Sequence, residues 1–213
     1  MNAESDEVRR KQSELLFATP LVTEKWPDAG ELNAYLRELI LSRERADTRP
    51  RHGYSNVGGW HSPIDLQESL DRELRLVLQR ARELATATTE HLLTPAERSR
   101  RYHYVVSAWA NVSRAGDYNV PHVHTSTWSA VYYVSVPACC AEGSSEGTLE
   151  LIDPRSAAAM IGMPGRFFAT RRTIMPEAGM MVLFPASVMH FVHPFHGVGE
   201  RISIACDLTL DMP

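Results

Sequence analysis

Residues 118–136 read YNVPHVHTSTWSAVYYVSV, two short runs rich in Val and Tyr on either side of the polar break at 125–127. Runs of this length, bounded by small and polar residues, are the pattern of strands rather than of amphipathic helices. The same texture continues in both directions. Strands are predicted near Tyr102–Val112, Tyr118–His124, Trp128–Val136, Gly147–Ile152, Phe167–Ile174, Gly179–Phe184, His190–Pro194 and Arg201–Leu210. Eight short strands separated by Gly, Pro and Ser breaks is the count of a double-sheet jelly roll.

Upstream the period changes. Leu32, Tyr35, Leu36, Leu39 and Ile40 recur at helical spacing and predict an amphipathic helix ending near Arg45. A second apolar face, Leu70, Leu74, Val77, Leu78, Ala81, Leu84 and Ala85, predicts a helix from about Gln67 to His91, closed by Pro95. Between them RPRHGYSNVGGWHSP, residues 49–63, reads as an irregular loop. The expectation is one mainly β domain over 1–213, with a helical support region and loop over 1–100, a β core over 101–213, and the helices covering the outer face of one sheet.

Composition narrows the class of function. The chain has 213 residues, 44% hydrophobic and 23% charged, enough for a buried core and too apolar for disorder. A net charge of −4 shows no electrostatic footprint for nucleic acid or an anionic membrane, and no apolar run is long enough for a bilayer helix. The charged N-terminal stretch has no secretory core. Three cysteines, two of them adjacent at Cys139 and Cys140, fit a reducing compartment better than a disulfide framework, so a cytoplasmic protein is expected.

Nine histidines stand out against this composition. In Asn119-Val-Pro-His122-Val-His124, an extended backbone puts His122 and His124 on one face, as two nitrogen ligands of one metal would be. His190, 66 residues after His124 and at the start of the penultimate strand, is the candidate third ligand, facing the pair across the end of the barrel. His193 and His196 fall in a turn and read as surface residues. His52, His61, His91 and His103 have no partner at ligand spacing, although His61 sits in the Gly-Gly-Trp loop and is placed to line a pocket. Arg201 and Ser203 again share one strand face, and a guanidinium fork with a hydroxyl is a receptor for a carboxylate. Trp109 and Asn111 also share a face and read as packed core. Cys139 and Cys140 read as small apolar residues at a strand end.

Taken together, His122-x-His124, His190 and Arg201-x-Ser203 resemble the motifs of the Fe(II)/2-oxoglutarate-dependent oxygenases, in particular the prolyl-hydroxylase-like branch and its uncharacterised bacterial relatives. VYYV at 131–134, GTLELIDPR at 147–155 and PEAGMMVLFPASVMHFV at 176–192 are similar to segments of that branch in the same order, and SNVGGW at 55–60 resembles a segment of the bacterial relatives. The resemblance implies a double-stranded β-helix, a cupin-like jelly roll. It implies Fe(II), with 2-oxoglutarate as cosubstrate and dioxygen as oxidant, in a hydroxylase. It implies His122 and His190 as iron ligands, Arg201 and Ser203 on the distal carboxylate of 2-oxoglutarate, and Tyr133 as its phenolic hydrogen-bond partner.

His124 departs from the pattern, since most of the superfamily has a carboxylate there. Two readings follow: a three-His site, which the spacing favours, or a carboxylate recruited from Asp117, Glu150 or Asp153. A rival resemblance, to the two cupin motifs, rests on Gly116-x5-His122-x-His124 and on Gly179-x5-Pro185-x-Ser187-x2-His190. It implies a three-His metal protein independent of 2-oxoglutarate: a dioxygenase, an isomerase or a non-catalytic binder. Trp128 and Ser129 stand where the cupin glutamate is expected, and Arg201-x-Ser203 discriminates in favour of 2-oxoglutarate. Substrate recognition, for a small-molecule or peptidyl substrate, is expected on the loops Arg51–Pro63 and Arg155–Phe167. Nothing in the pattern decides between a monomer and a homo-oligomer.

Overall fold

Two apolar clusters on opposite faces of one sheet organise the chain, and the site lies on the inner of those faces. The computed structural model describes residues 17–50, 54–99, 102–141, 143–155 and 169–211. Its larger sheet has six strands in the order β1 (Val22–Lys25), β9 (Met180–Pro185), β6 (Trp128–Ser135), β11 (Arg201–Asp211), β4 (His103–Ser113), β3 (Trp60–His61). The smaller has five in the order β2 (Asn56–Val57), β5 (Tyr118–His122), β10 (His190–Val192), β7 (Leu149–Ile152), β8 (Arg171–Ile174). Every paired neighbour is antiparallel. This is the jelly roll, mostly β with two helices.

The near-continuous apolar runs of the large sheet have a direct cause: both of its faces are covered. On the outer face Tyr132, Met181, Leu183, Ile202 and Ile204 pack against Leu36 and Ile40 of α1 (Gly30–Ala46) and Leu74, Val77 and Ala81 of α2 (Arg72–Leu92). On the inner face Tyr133, Val182 and Phe184 pack against Leu149 and Leu151 of the small sheet. Neighbours in sequence thus serve opposite cores, as the two-residue period of a strand requires. Each fully buried Leu, Ile or Met side chain stabilises the fold by about 1.5–3 kcal/mol relative to exposure. Tyr132 carries a polar tip into the outer core and donates to Asn33 Oδ1 at 2.6 Å, tying α1 to β6.

All eight predicted strands are present within a few residues at their ends, residues 167–168 of the fifth lying outside the described residues. Three others were not anticipated: β1, and the two-residue β2 and β3 inside the segment read as an irregular loop. Gly58 and Gly59 turn the chain between them, so 56–61 adds an edge strand to each sheet. Gly58 has φ +73, and a Cβ there would fall onto Asp117 Oδ1, so glycine is required. The second helix also starts later than its apolar pattern. Leu66–Glu68 form a 3-10 turn, Leu70 is exposed, and α2 begins only where Asp71 accepts from the backbone N–H groups of Glu73 and Leu74. Among the described residues no helix is long and apolar enough to cross a membrane.

Candidate metal centre and anion pocket

β5 and β10 are neighbours in the small sheet, and His122 lies directly opposite His190. The prediction that they face each other across the barrel end is therefore corrected: they are adjacent on one ladder. From that pair to Val192 opposite Asn119, β5 uses one residue more than β10, a bulge containing Pro121, which has no N–H for the ladder. β5 ends at His122, and His124 follows two residues on, held by its backbone N–H to Ala186 O at 2.9 Å. The ring centroids are 4.2 Å apart for His122 and His190, 5.1 Å for His122 and His124, and 5.2 Å for His124 and His190. One ligand nitrogen from each lies within 4.8 Å of the other two, and among the described residues this is the group so arranged.

The tautomers follow from the hydrogen bonds. His122 Nδ1 meets Val120 O at 2.7 Å, His190 Nδ1 meets Val188 O at 2.9 Å, and His124 Nδ1 meets Asp207 Oδ2 at 2.9 Å. Carbonyls and carboxylates only accept, so each Nδ1 carries the proton and each Nε2 keeps a lone pair. Burial favours the neutral form of two of these rings: it pushes His190 down to about 3, helped by neighbouring His122, and it also lowers His122. A neutral imidazole with an oriented Nε2 is the form a metal takes.

Beside the triad lies a cavity of ≈ 410 Å³. Arg201 and Ser203 of β11 line it, each 3% exposed, as the alternation predicted. Arg201 Nε donates to Gly147 O at 3.0 Å, and its guanidinium carbon lies 5.0 Å from the Tyr133 ring centre. Among the described residues no carboxylate pairs with this cation. Tyr133 is fully buried, its hydroxyl has no hydrogen-bond partner, and burial raises its pKa, so it stays a proton donor. A buried guanidinium without a counterion and an orphaned hydroxyl are both costly, and an anion between them satisfies both. The residues present therefore fit a divalent metal and a carboxylate cosubstrate.

Asp117, Glu150 and Asp153, the alternative carboxylates, do not line this cavity. Asp117 accepts from Arg114 N, Glu150 is shared by Arg171 and His193, and Asp153 pairs with Arg155. His193 is thus committed to Glu150 at 2.6 Å, and exposed His196 to Glu146 at 3.1 Å. His91 lies in the last turn of α2, His103 opens β4, and His52 lies outside the described residues.

Trp109 and Asn111 were expected in packed core and instead line the cavity. They sit opposite Ala205 and Ser203 on β11, so the pocket-facing side of that strand determines theirs. His61 lines it too, its ring between those of Tyr54 and Trp109. Asn56 donates to Asn111 Oδ1 at 3.2 Å, while its own buried Oδ1 has no partner. Of the two loops expected to bind substrate, the first supplies Tyr54, Ser55, Asn56 and His61, with 51–53 outside the described residues; 156–168 of the second lie outside them as well. The residue that sequence reasoning missed is Asp207. The signal was available, because the alternation through Arg201 and Ser203 continues to Ala205 and Asp207, all of which line the cavity.

Residues 107–207 match the model of the family described as "Putative 2OG-Fe(II) oxygenase". That segment contains the three histidines, Tyr133, Arg201, Ser203 and Asp207, and it bears out the resemblance carried by the short motifs. Among solved structures, a prolyl-4-hydroxylase from Pseudomonas putida is similar at 16% identity and TM-score 0.61, over 89% of this chain and 91% of that one. The α-ketoglutarate-dependent carbocyclase SnoK from nogalamycin biosynthesis is similar at 13% identity and TM-score 0.61, over 91% and 80%. HygX from Streptomyces hygroscopicus, with nickel and 2-oxoglutarate bound, is similar at 12% identity and TM-score 0.54, over 90% and 83%. At these identities the likeness is one of fold. No curated protein matches the chain.

Proposed function

We propose that the protein is an Fe(II)-dependent oxygenase that couples oxidative decarboxylation of 2-oxoglutarate to hydroxylation of a small-molecule or peptidyl substrate. The observation that carries this reading is a buried Arg201 and Tyr133 hydroxyl, without a carboxylate or a hydrogen-bond partner respectively among the described residues, in the same cavity as three histidines whose Nδ1 atoms are the hydrogen-bonded ones. A cupin-type metal site alone has no use for that anion receptor. The balance is 2-oxoglutarate, dioxygen and a C–H bond giving succinate, carbon dioxide and a C–OH bond.

In this reading His122, His124 and His190 would hold the iron through Nε2. Iron held there would supply the redox chemistry that couples 2-oxoglutarate decarboxylation to substrate oxidation. The protein's own work is positional. Arg201 neutralises and orients the distal carboxylate, Ser203 and Tyr133 donate hydrogen bonds to it, and Gly147 O fixes the guanidinium through Nε. Tyr54, His61, Trp109, Asn56 and Asn111 form the part of the wall left for substrate.

We read the chain as a single domain; support comes from α1 and α2 packing on the large sheet and from β2 and β3 joining one sheet each. Three free thiols and the net charge of −4 support a cytoplasmic protein that binds neither nucleic acid nor membrane. The test is succinate formation and 2-oxoglutarate binding by Fe(II)-loaded protein with ascorbate, alongside Arg201→Ala and His190→Ala. Turnover abolished in both variants is expected. Neither binding nor succinate from the iron-loaded wild type would overturn the assignment.

A further inference from the structure

Three neutral imidazoles bring no charge to a divalent ion. Add the buried Arg201 guanidinium, and the loaded cavity carries one positive charge more than a dianionic cosubstrate neutralises. Such an excess is expensive where water is scarce. Among the described residues lining the cavity, Asp207 is the one carboxylate. It sits on the pocket face of β11, in register with Ser129 of β6. Its Oδ2 accepts from His124 Nδ1 at 2.9 Å and its Oδ1 from Ser129 Oγ at 3.1 Å. Both oxygens are engaged, so the carboxylate is aimed at the back of the imidazole.

We infer that Asp207 is a positioning residue of the metal site, holding His124 Nε2 toward the ion and supplying through that ring the negative charge the three-His face lacks. His122 and His190 are oriented by backbone carbonyls, which are neutral; His124 alone is backed by a side-chain charge. The sequence position two after His122 thus provides nitrogen to the metal, while the carboxylate acts one bond network further out, from the last strand. Carboxylates behind ligand histidines raise ligand basicity, and their loss typically costs 10–100-fold in metal affinity.

The inference rests on the oxygenase reading, and the experiment separates the two. Metal-free wild type, Asp207→Asn, Asp207→Ala and His190→Ala are titrated with Co(II), followed by its visible absorption, and then with 2-oxoglutarate at Co(II) saturation. Asp207→Asn keeps the shape and an acceptor oxygen and loses only charge. Its Co(II) affinity is expected to fall about fivefold to tenfold, and that of Asp207→Ala about 10–100-fold. Dianion affinity for the saturated Asp207→Asn protein is expected to hold or rise, because the pocket has become more positive. Disrupted packing would instead weaken both ligands together. Co(II) affinity of Asp207→Asn within about twofold of wild type, or a parallel fall in both affinities, overturns the inference. Wild type that takes up Co(II) no better than His190→Ala overturns the metal site itself. Ser129→Ala is the second variant should Asp207→Asn fail to fold. It leaves the charge and frees one oxygen, so Co(II) is expected to weaken about twofold and 2-oxoglutarate to bind as in wild type; a loss in both overturns the charge role.

Discussion

Lowering the pH of the metal-free protein should unfold it through His190. The ring is 5% exposed, and burial holds its pKa at about 3 against 6.5 for an unfolded chain. Between those values the unfolded state binds a proton that the folded state refuses, so stability rises with pH there and falls as pH drops below 6.5. The contribution is complete above 6.5 and is lost progressively down to about 3. At pH 5 a single such histidine favours the unfolded chain by about 2 kcal/mol relative to pH 7.5. His122 and His61, also lowered by burial, act with the same sign. The lowered carboxylates Glu146, Glu150 and Asp153 contribute stability that is also lost as pH falls, chiefly below their ordinary values of 4.5 and 3.8, and they are common to wild type and variant, so they cancel in the comparison. The assay is urea denaturation at pH 7.5 and 5.0 with a chelator present, comparing wild type with His190→Gln, whose side chain is neutral at both. Wild type should lose about 2 kcal/mol more than the variant, close to 1 M in urea midpoint. Equal pH sensitivity in the two proteins would refute the reasoning, because no other residue differs.

Gly147→Ala forces a side chain into a φ +63 position, with its Cβ 2.6 Å from Cys140 Sγ and 3.5 Å from Arg201 Cδ. It should weaken 2-oxoglutarate binding about tenfold by moving the carbonyl that fixes Arg201, as read by calorimetry on the metal-loaded protein. Asp71→Ala removes the cap of α2 and the acceptor for the Tyr35 hydroxyl, and should cost about 1–2 kcal/mol in urea denaturation with unchanged m. Tyr132→Phe severs the 2.6 Å bond to Asn33 and should destabilise by about 1–2 kcal/mol with 2-oxoglutarate affinity intact, since that hydroxyl faces the helices rather than the cavity.

How much of this was legible in sequence depended on whether a residue's role is set by its own strand. Alternation alone places Arg201 and Ser203 on one face, without saying that the face is buried, and the apolar runs mark the central strands because both of their faces are covered. The pairing of His122 with His190 was not legible. Strand order is a property of the ladder, and nothing local to either segment states which neighbours meet. Trp109 and Asn111 were misassigned for the same reason: their face is decided by pairing with β11, 92 to 96 residues later in the chain. Val22–Lys25 and the two-residue β2 and β3 were missed because edge strands so short carry no period to read. Asp207 was overlooked although the pattern reached it, because a lone acid near a strand end usually faces water.

The segment that joins β2 to β3 divides the cavity by ownership. Tyr133, Arg201 and Ser203 sit on the long β6 and β11, His122 and His190 on the paired β5 and β10, and His124 two residues past the end of β5, with β11 paired to β4 over eleven residues. The mouth residues Tyr54, Ser55, Asn56 and His61 sit on a stretch paired over only two residues on each side, anchored by buried Trp60 and its 2.8 Å bond to Asp47. The two walls of the pocket therefore rest on separately anchored stretches of backbone. Residues 54–61, with Trp60 and the two glycines kept, form a segment that can be exchanged to reshape the mouth wall of the cavity while the three histidines, Tyr133, Arg201 and Ser203 keep their own supports.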